Sequence, residues 1–511
     1  DVDSNKREQL LQVTTLLQQI SKERDILDTL SIAELAAFRS AAGRLLRPEP
    51  GERACSPWFK KKCRDKKLLG RTGIRRLRDQ PVFITPDARP VPRHFQASEL
   101  MDGAKVSVAP GKTTETLQKC YVCKNRYRAV HEFYDQLCRG CAVFNYAKRG
   151  ELADLSGKVA LLTGGRVKIG YQAGIKLLRC GVRLIVTTRF PRDAASRYAA
   201  EADFKEWEHR LDIFGLDLRH TPSIVAFCQH IIDRYDRLDF IVNNACQTIR
   251  RPPGFYGHMT AGEALPFDSL GPEIRKLLGE NESLHCRLMS RRTTHEEDRV
   301  SLPGVIGKTQ DLIGLTQSVA LSQTPLLKQD VECSLAVFPE GRLDQDLQQV
   351  DLRDHNTWRM RLHEVSPTEL LETQLVNAVA PFVINANLKP LMEATPGRHK
   401  HIVNVSAMEG QFYRHNKTVN HPHTNMAKAA LNMMTRTAAA DYFTSGIHMN
   451  SVDTGWVTDE NPMGILQRGT FHPPLDIVDG AARVVDPIIS GVNTKEHVWG
   501  QFLKDYKPTL W

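Results

Sequence analysis

The sequence predicts an α/β protein: a doubly wound parallel sheet with a large insertion, preceded by a helical region and a small cysteine module. Three observations carry that expectation. From about residue 151 onward, short apolar runs alternate with amphipathic segments, the pattern of strands exchanged with helices. A glycine-rich turn, Thr163 to Gly170, stands between an apolar strand and a helix. Cys120, Cys123, Cys138 and Cys141 form two C-x-x-C pairs ahead of that turn.

The chain has 511 residues, enough for two or more domains. Hydrophobic residues make up 41% and charged residues 25%, an ordinary globular balance that argues against intrinsic disorder. No run of 18 apolar residues occurs, so no membrane-spanning helix is expected. The opening DVDSNKREQLLQ lacks the layout of a secretory signal and an initiator Met, so the expectation is a cytoplasmic protein whose upstream segment is removed. Seven of the 11 cysteines lie outside the pairs, which does not suit a disulfide framework and fits a reducing compartment. The net charge is +10, and the stretch Lys60 to Arg78 holds ten Lys or Arg against one Asp. A solvated basic surface or linker explains it, and residues that would read bases are sparse, so nucleic acid is not an expected partner.

Residues 1–50 are expected to be helical. Leu10, Leu11, Val13, Leu16, Leu17 and Ile20 fall near one helical face. Ser31 followed by Glu34 is a capping-box pattern that starts a second helix. Residues 51–110, rich in Pro, Arg and Lys with weak periodicity, are expected to be a basic extended arm.

Residues 111–150 form the cysteine module, with fourteen residues between the pairs. Four thiolates so spaced can close a tetrahedral structural Zn2+ site in a zinc-ribbon-like module, because each knuckle turns two sulfurs toward one ion. Phe133, Tyr134 and Leu137 supply a small core, and a module of this size needs the metal to fold. A redox C-x-x-C is the alternative, and His131 is a competing ligand.

Residues 151–511 are the sheet domain. Val159 to Leu162 is the first strand, and the turn Thr163, Gly164, Gly165, Arg166, Val167, Lys168, Ile169, Gly170 lets backbone amides at a helix start approach a pyrophosphate. The second strand, Val182 to Thr187, runs into Thr188 and Arg189, where a site for NAD(H) carries an acidic residue for the ribose 2′-hydroxyl. Arg189, assisted by Arg192, attracts a 2′-phosphate instead, so NADP(H) is favoured over NAD(H).

Further motifs follow in order, and together they resemble the short-chain dehydrogenase/reductase superfamily over roughly residues 155 to 250 and 370 to 500. Thr163-Gly164 to Ile169-Gly170 resembles its TGxxxGIG loop, with Lys168 where the middle glycine stands. Asp217-Leu218 resembles the pair beside the adenine. Asn243-Asn244-Ala245 resembles NNAG, with Cys246 in the glycine position. Asn377 resembles the helix asparagine of the catalytic set, Ser406 the catalytic serine, and Lys428 the lysine of YxxxK. Thr454-Gly455 and Thr458 resemble the PGxxxT segment beside the nicotinamide. The resemblance implies a Rossmann-type sheet of seven parallel strands, hydride transfer at a nicotinamide, a carbonyl or alcohol substrate, and association into dimers or tetramers. The insertion, about 250–370, runs from RRPPGFYGHM through RRTTHEEDRVS and is expected to cap the substrate mouth.

The pattern breaks at one position. The family tyrosine falls on Thr424. A phenol, with a pKa of about 10, can be brought toward neutrality by nearby positive charge, but an aliphatic hydroxyl cannot. Tyr413, in a lengthened loop, His423, and Lys428 itself are the candidate replacements. Two readings therefore stand: an NADP(H)-dependent oxidoreductase with an altered proton donor, or an inactive nucleotide-binding scaffold or sensor that meets protein partners through its cysteine and helical modules.

Overall fold

The computed structural model describes residues 2–46, 57–87, 112–293, 312–332, 336–413, 417–462 and 472–511. The chain divides into two units, residues 1–69 with 113–117, and residues 70–112 with 118–511. Among the described residues no helix is long and apolar enough to cross a membrane.

The smaller unit is helical: Val2–Lys22, Ile32–Leu46 and Pro57–Leu69. The expected capping box forms. The Ser31 amide donates to Glu34 Oε2 at 2.9 Å, and the Glu34 amide donates to Ser31 Oγ at 3.3 Å. Leu10, Leu11, Val13, Leu16 and Leu17 are all exposed. Within this unit the buried Asp65 carboxylate accepts the amides of Glu115 at 2.7 Å and Thr116 at 2.9 Å. The arm expected to be extended instead carries the helix Pro57–Leu69 and, in the larger unit, the helix Gly73–Arg78. Lys and Leu are good helix formers, and Pro57 at the first turn suits a helix start, so local propensity outweighs the weak periodicity. Residues 51–56 and 88–110 of that arm lie outside the described residues.

The larger unit is built on one sheet. Its strands are β3 (Val159–Thr163), β4 (Arg183–Thr188), β5 (Leu211–Gly215), β6 (Phe240–Asn243), β7 (Lys400–Ser406), β8 (Ile447–Asp453), β9 (Phe502–Lys504) and β10 (Lys507–Thr509), following the short β1 (Thr113–Lys119) and β2 (Arg126–Ala129) of the cysteine region. The order is β10-β9-β8-β7-β6-β3-β4-β5, parallel throughout except for β10. The seven parallel strands expected from the resemblance are present. The eighth is a hairpin return whose turn residues, Asp505 (φ 47°) and Tyr506 (φ 68°), both adopt the left-handed conformation of a type I′ turn.

Alternation along each strand sends side chains to both faces. Leu162, Leu184, Val186 and Val242 pack under the helices Lys168–Arg179 and Ile477–Thr494. Leu161, Ile185, Phe214 and Ile241 pack under Thr221–Arg234 and Ala380–Ala394. Both faces are covered, which is why the strands read as near-continuous apolar runs.

The insertion departs from a simple cap. Its helix Pro272–Thr293 packs along β5, where Asn281 Oδ1 accepts the Gly215 amide at 2.9 Å. Only other parts of it, Tyr256 and Trp358, reach the cleft described below. Of RRTTHEEDRVS, residues 294–301 lie outside the described residues.

Candidate cofactor and active site

Strand order reverses between β3 and β6, so their carboxyl ends splay apart and leave a crevice. A cleft of about 460 Å³ occupies it. The glycine turn forms one wall. Gly164 (φ 68°) lies so close to β6 that a Cβ there would sit 2.8 Å from Ala245 Cα, and one on Gly170 would fall 2.1 Å from the Gly164 carbonyl oxygen. Asn244 locks the turn from the neighbouring strand, its Nδ2 donating to the carbonyls of Thr163 (3.2 Å) and Gly164 (3.1 Å). Thr163 Oγ1 in return accepts the amides of Asn244 and Ala245, each at 3.1 Å. The helix after the turn starts at Lys168, where no side chain among the described residues caps its first amides, leaving them open to an anion.

Lys168 stands where the resemblance places glycine and adopts φ 54°. Burial opposes its charge, but the carboxylates of Glu460, Asp346 and Asp344 outweigh that and hold its pKa above the ordinary value. Gly165 packs under Val186, and Ile169 lies against the cleft.

Arg189 follows β4 and lines the cleft, donating from Nη2 to the Tyr256 hydroxyl at 2.7 Å. Arg192 is committed elsewhere, to the Glu263 carbonyl at 2.6 Å. Arg166 faces the cleft but is paired with Asp193 at 2.6 Å and Gln348 at 2.9 Å. Asp217 and Leu218 line the far end. Burial opposes the Asp217 carboxylate, but Arg219, at 2.7 Å, prevails and holds its pKa below the usual range.

At the other end, Ser406, Thr424 and Lys428 line the cleft together, with Gly455 and Thr458 opposite. Lys428 Nζ donates to the Val405 carbonyl at 2.8 Å. Thr424 Oγ1 is buried and finds no partner among the described residues. Asn377 sits in a π-helical turn, Leu375–Val379, inside the helical run from Pro367 to Ala394, a local widening often found at working sites. It is held face to face with Gln247: Asn377 Oδ1 accepts the Gln247 amide at 2.7 Å, and its Nδ2 donates to the Gln247 carbonyl at 3.2 Å.

Of the three candidate proton donors only Lys428 lines the cleft; Tyr413 and His423 do not. Tyr413 is 97% exposed. His423 is buried, with Nε2 3.7 Å from Glu369, on the side of the helix Pro422–Thr444 that packs against the helix Pro367–Gln374. Sequence reasoning also missed Trp358 and Tyr121. Trp358 stacks on His421 at 3.8 Å, at the start of the helix that carries Thr424 and Lys428, and nothing in the surrounding insertion signals it. Tyr121, between Cys120 and Cys123, accepts the Trp456 amide at 3.0 Å.

The four cysteines converge, one sulfur from each lying within 4.8 Å of the others and Cys123 to Cys138 at 3.6 Å. A tetrahedral ion with bonds of about 2.3 Å sets sulfurs about 3.8 Å apart, so the group has the span such an ion needs. The thiols do not ionise alike. A hydrogen bond from Cys141 pulls Cys120 down to about 4, whereas burial pushes Cys138 up to about 11. His131 is turned to other work, its Nδ1 accepting the Phe133 amide at 3.0 Å. The module is welded to the sheet domain. Ile74, Cys120, Tyr134 and Leu137 share a core with Val457, Leu475 and Ile477, Arg149 reaches Asp479 at 3.0 Å, and Arg483 reaches Asn145 at 2.7 Å.

Fold, glycine turn and the Ser406–Lys428 pair define a class: doubly wound α/β proteins with a nucleotide-sized crevice at the switch point. Comparison with known proteins narrows it. Residues 158–257 match the family model described as short chain dehydrogenase, and residues 342–472 the one described as Enoyl-(Acyl carrier protein) reductase. These matches support the short-chain dehydrogenase/reductase superfamily for the sheet domain. An uncharacterized protein of Acanthamoeba polyphaga mimivirus is 29% identical over 389 residues, 73% of this chain and 72% of that one. Human retinol dehydrogenase 13 is 33% identical over 95 residues, 18% of this chain and 28% of that protein. Among solved structures, a metagenomic short-chain oxidoreductase in complex with NADP aligns over 70% of this chain and all of its own at 17% identity, TM-score 0.38.

Proposed function

We propose that the chain is a short-chain dehydrogenase/reductase that binds NADP(H) in the cleft and transfers hydride to or from a small carbonyl or alcohol, with a structural Zn2+ on the four cysteines. The observation that carries this reading is the convergence on one cleft of the glycine turn, Arg189, and the Ser406, Thr424 and Lys428 side chains. A dinucleotide fits the wall: Gly164 and Gly170 leave no room for a side chain, and the amides at Lys168 are uncapped. Arg189 would meet the 2′-phosphate. Gly455 and Thr458 would flank the nicotinamide, which supplies or accepts the hydride. Ser406 and Thr424 would orient the substrate oxygen by hydrogen bonds, the free Thr424 hydroxyl being available for that contact. Lys428 is a titratable group that shares the cleft wall with them and takes the proton-transfer role, since Tyr413 and His423 do not line the cleft. Asn377, which does not line the cleft, would position the Gln247 backbone, which does.

A second reading, a cofactor-holding scaffold without turnover, is favoured by one observation: the only cleft-lining phenol among the described residues, Tyr256, belongs to the Arg189 end. Titration of the zinc-loaded chain with NADPH and NADH, followed by nicotinamide fluorescence, tests the proposal. Binding that prefers NADPH and loses the preference in Arg189→Asp supports it, and no binding of either cofactor overturns both readings. A carbonyl screen with NADPH then separates enzyme from scaffold.

A further inference from the structure

At the opposite end of the sheet from the cleft, four histidines gather. His399 precedes β7, His401 lies within it, His448 is paired with His401 across the β7–β8 register, and His497 follows the helix Ile477–Thr494. Ser406 closes β7 at the cleft, so at about 3.3 Å per residue the cluster lies roughly 20 Å away. One ring nitrogen from each of His399, His448 and His497 falls within 4.8 Å of the other two. The rings are tightly arranged. His399 and His497 stack at 4.0 Å, and His448 lies 5.0 Å from His497.

The remaining ring nitrogens are held as those of metal ligands usually are, by a second group that sets the tautomer. His448 Nε2 meets the Arg398 carbonyl at 3.0 Å, which makes Nε2 the N–H and leaves Nδ1 with its lone pair. That Nδ1 is buried and has no partner among the described residues. His497 Nδ1 meets His401 Nε2 at 3.0 Å, which leaves His497 Nε2 to face the cluster. Room for the His497 ring is made by Gly491, where a Cβ would approach its Nδ1 to 2.6 Å.

We propose that His399, His448 and His497 form a second metal site, for a divalent transition ion of the imidazole-binding class such as Zn2+, with its fourth position open to water or a small anion. Three tetrahedral nitrogens about 2.0–2.1 Å from an ion lie about 3.4 Å apart and aim their in-plane lone pairs at it, so the triad must contract and His399, stacked on His497 at 12°, must turn out of that stack. The exposed His399 ring supplies that movement, while His448 and His497 stay braced by Arg398 and His401. The ion would pin the starts of β7 and β8 to the segment that leads into β9. It takes no part in the cleft.

The test is metal content of the full chain, dialysed against excess Zn2+ and then against metal-free buffer, in wild type, His399→Ala and His497→Gln. His399 is exposed, so its replacement leaves the fold intact, and His497→Gln checks the site from a second element. The expected result is one equivalent of Zn2+ fewer in each variant than in wild type. Because the readout is a difference, it holds whether or not the cysteines retain their own ion. Loading with Co2+ separates the two sites: the signal lost in the variants should show visible bands without thiolate charge transfer. Equal metal content in wild type and both variants overturns the proposal, as does a lost signal carrying thiolate charge transfer.

Discussion

The Tyr121 hydroxyl, set between two cysteines of the first knuckle, accepts the backbone amide of Trp456 at 3.0 Å, and Trp456 lies in the loop that also carries Gly455 and Thr458. The cysteine module thus holds one lip of the cleft. Tyr121→Phe removes this acceptor at a cost of about 1 kcal/mol. The expected outcome is NADPH binding weakened roughly fivefold with an unchanged circular dichroism spectrum. Stripping the proposed Zn2+ with a chelator should do more, lowering the melting temperature and the affinity together. Unaltered affinity after complete metal removal would show that the module and the lip are independent.

Thr424→Tyr returns a phenol to the wall shared with Ser406 and Lys428. A carbonyl substrate turned over by the wild type should be reduced at least tenfold faster by the variant near neutral pH, with kcat falling at alkaline pH as the phenol loses its proton. A rate unchanged or lowered across the pH range would mean that the wall is shaped around the smaller hydroxyl.

Lys168 counters the buried carboxylate of Glu460, whose pKa burial would raise but which Lys168 holds below the usual range. Lys168→Gly suits the left-handed backbone, yet leaves Glu460 with only the Thr458 hydroxyl and Arg251 to offset its charge beside the phosphate path. NADPH binding about tenfold weaker is expected, and adding Glu460→Gln should recover most of it. Tighter binding in the single variant would show instead that the lysine obstructs the cofactor.

Glu263 accepts the amides of Arg192 (3.2 Å) and Asp193 (2.8 Å) at the start of the helix Pro191–Ala199. Burial raises its pKa from 4.5 to about 7. The folded state therefore binds the proton more tightly than the unfolded chain, and this group's contribution to stability is greatest below pH 4.5 and declines as pH rises to about 7. The melting temperature of wild type minus that of Glu263→Gln should fall between those limits and level off above them. A flat difference would count against the raised value.

Much of this was legible in the residues, for identifiable reasons. Gly164, Gly165 and Gly170 are read from sequence because backbone contact and left-handed turns exclude side chains, and Cys120, Cys123, Cys138 and Cys141 because their spacing is geometric. Ser406 and Lys428 were readable only through the family resemblance of their motifs, and both line the cleft. Tyr413 and Trp358 show the limit. Both belong to segments without periodicity, where one ring points to water and the other onto His421, and no local pattern separates the two cases. Tyr121 was invisible for a different reason: its partner is a backbone amide 335 residues away.

The short β10 has a consequence for how copies of the chain meet. An open sheet invites a neighbour to add a strand to its border. Here one border is a three-residue strand whose middle position, Pro508, has no amide hydrogen to offer, and at the other border Asn281 and its helix occupy the end of β5. The sheet is thus finished within one molecule, and crowding of folded copies favours contact between side-chain faces over strand-by-strand growth into aggregates.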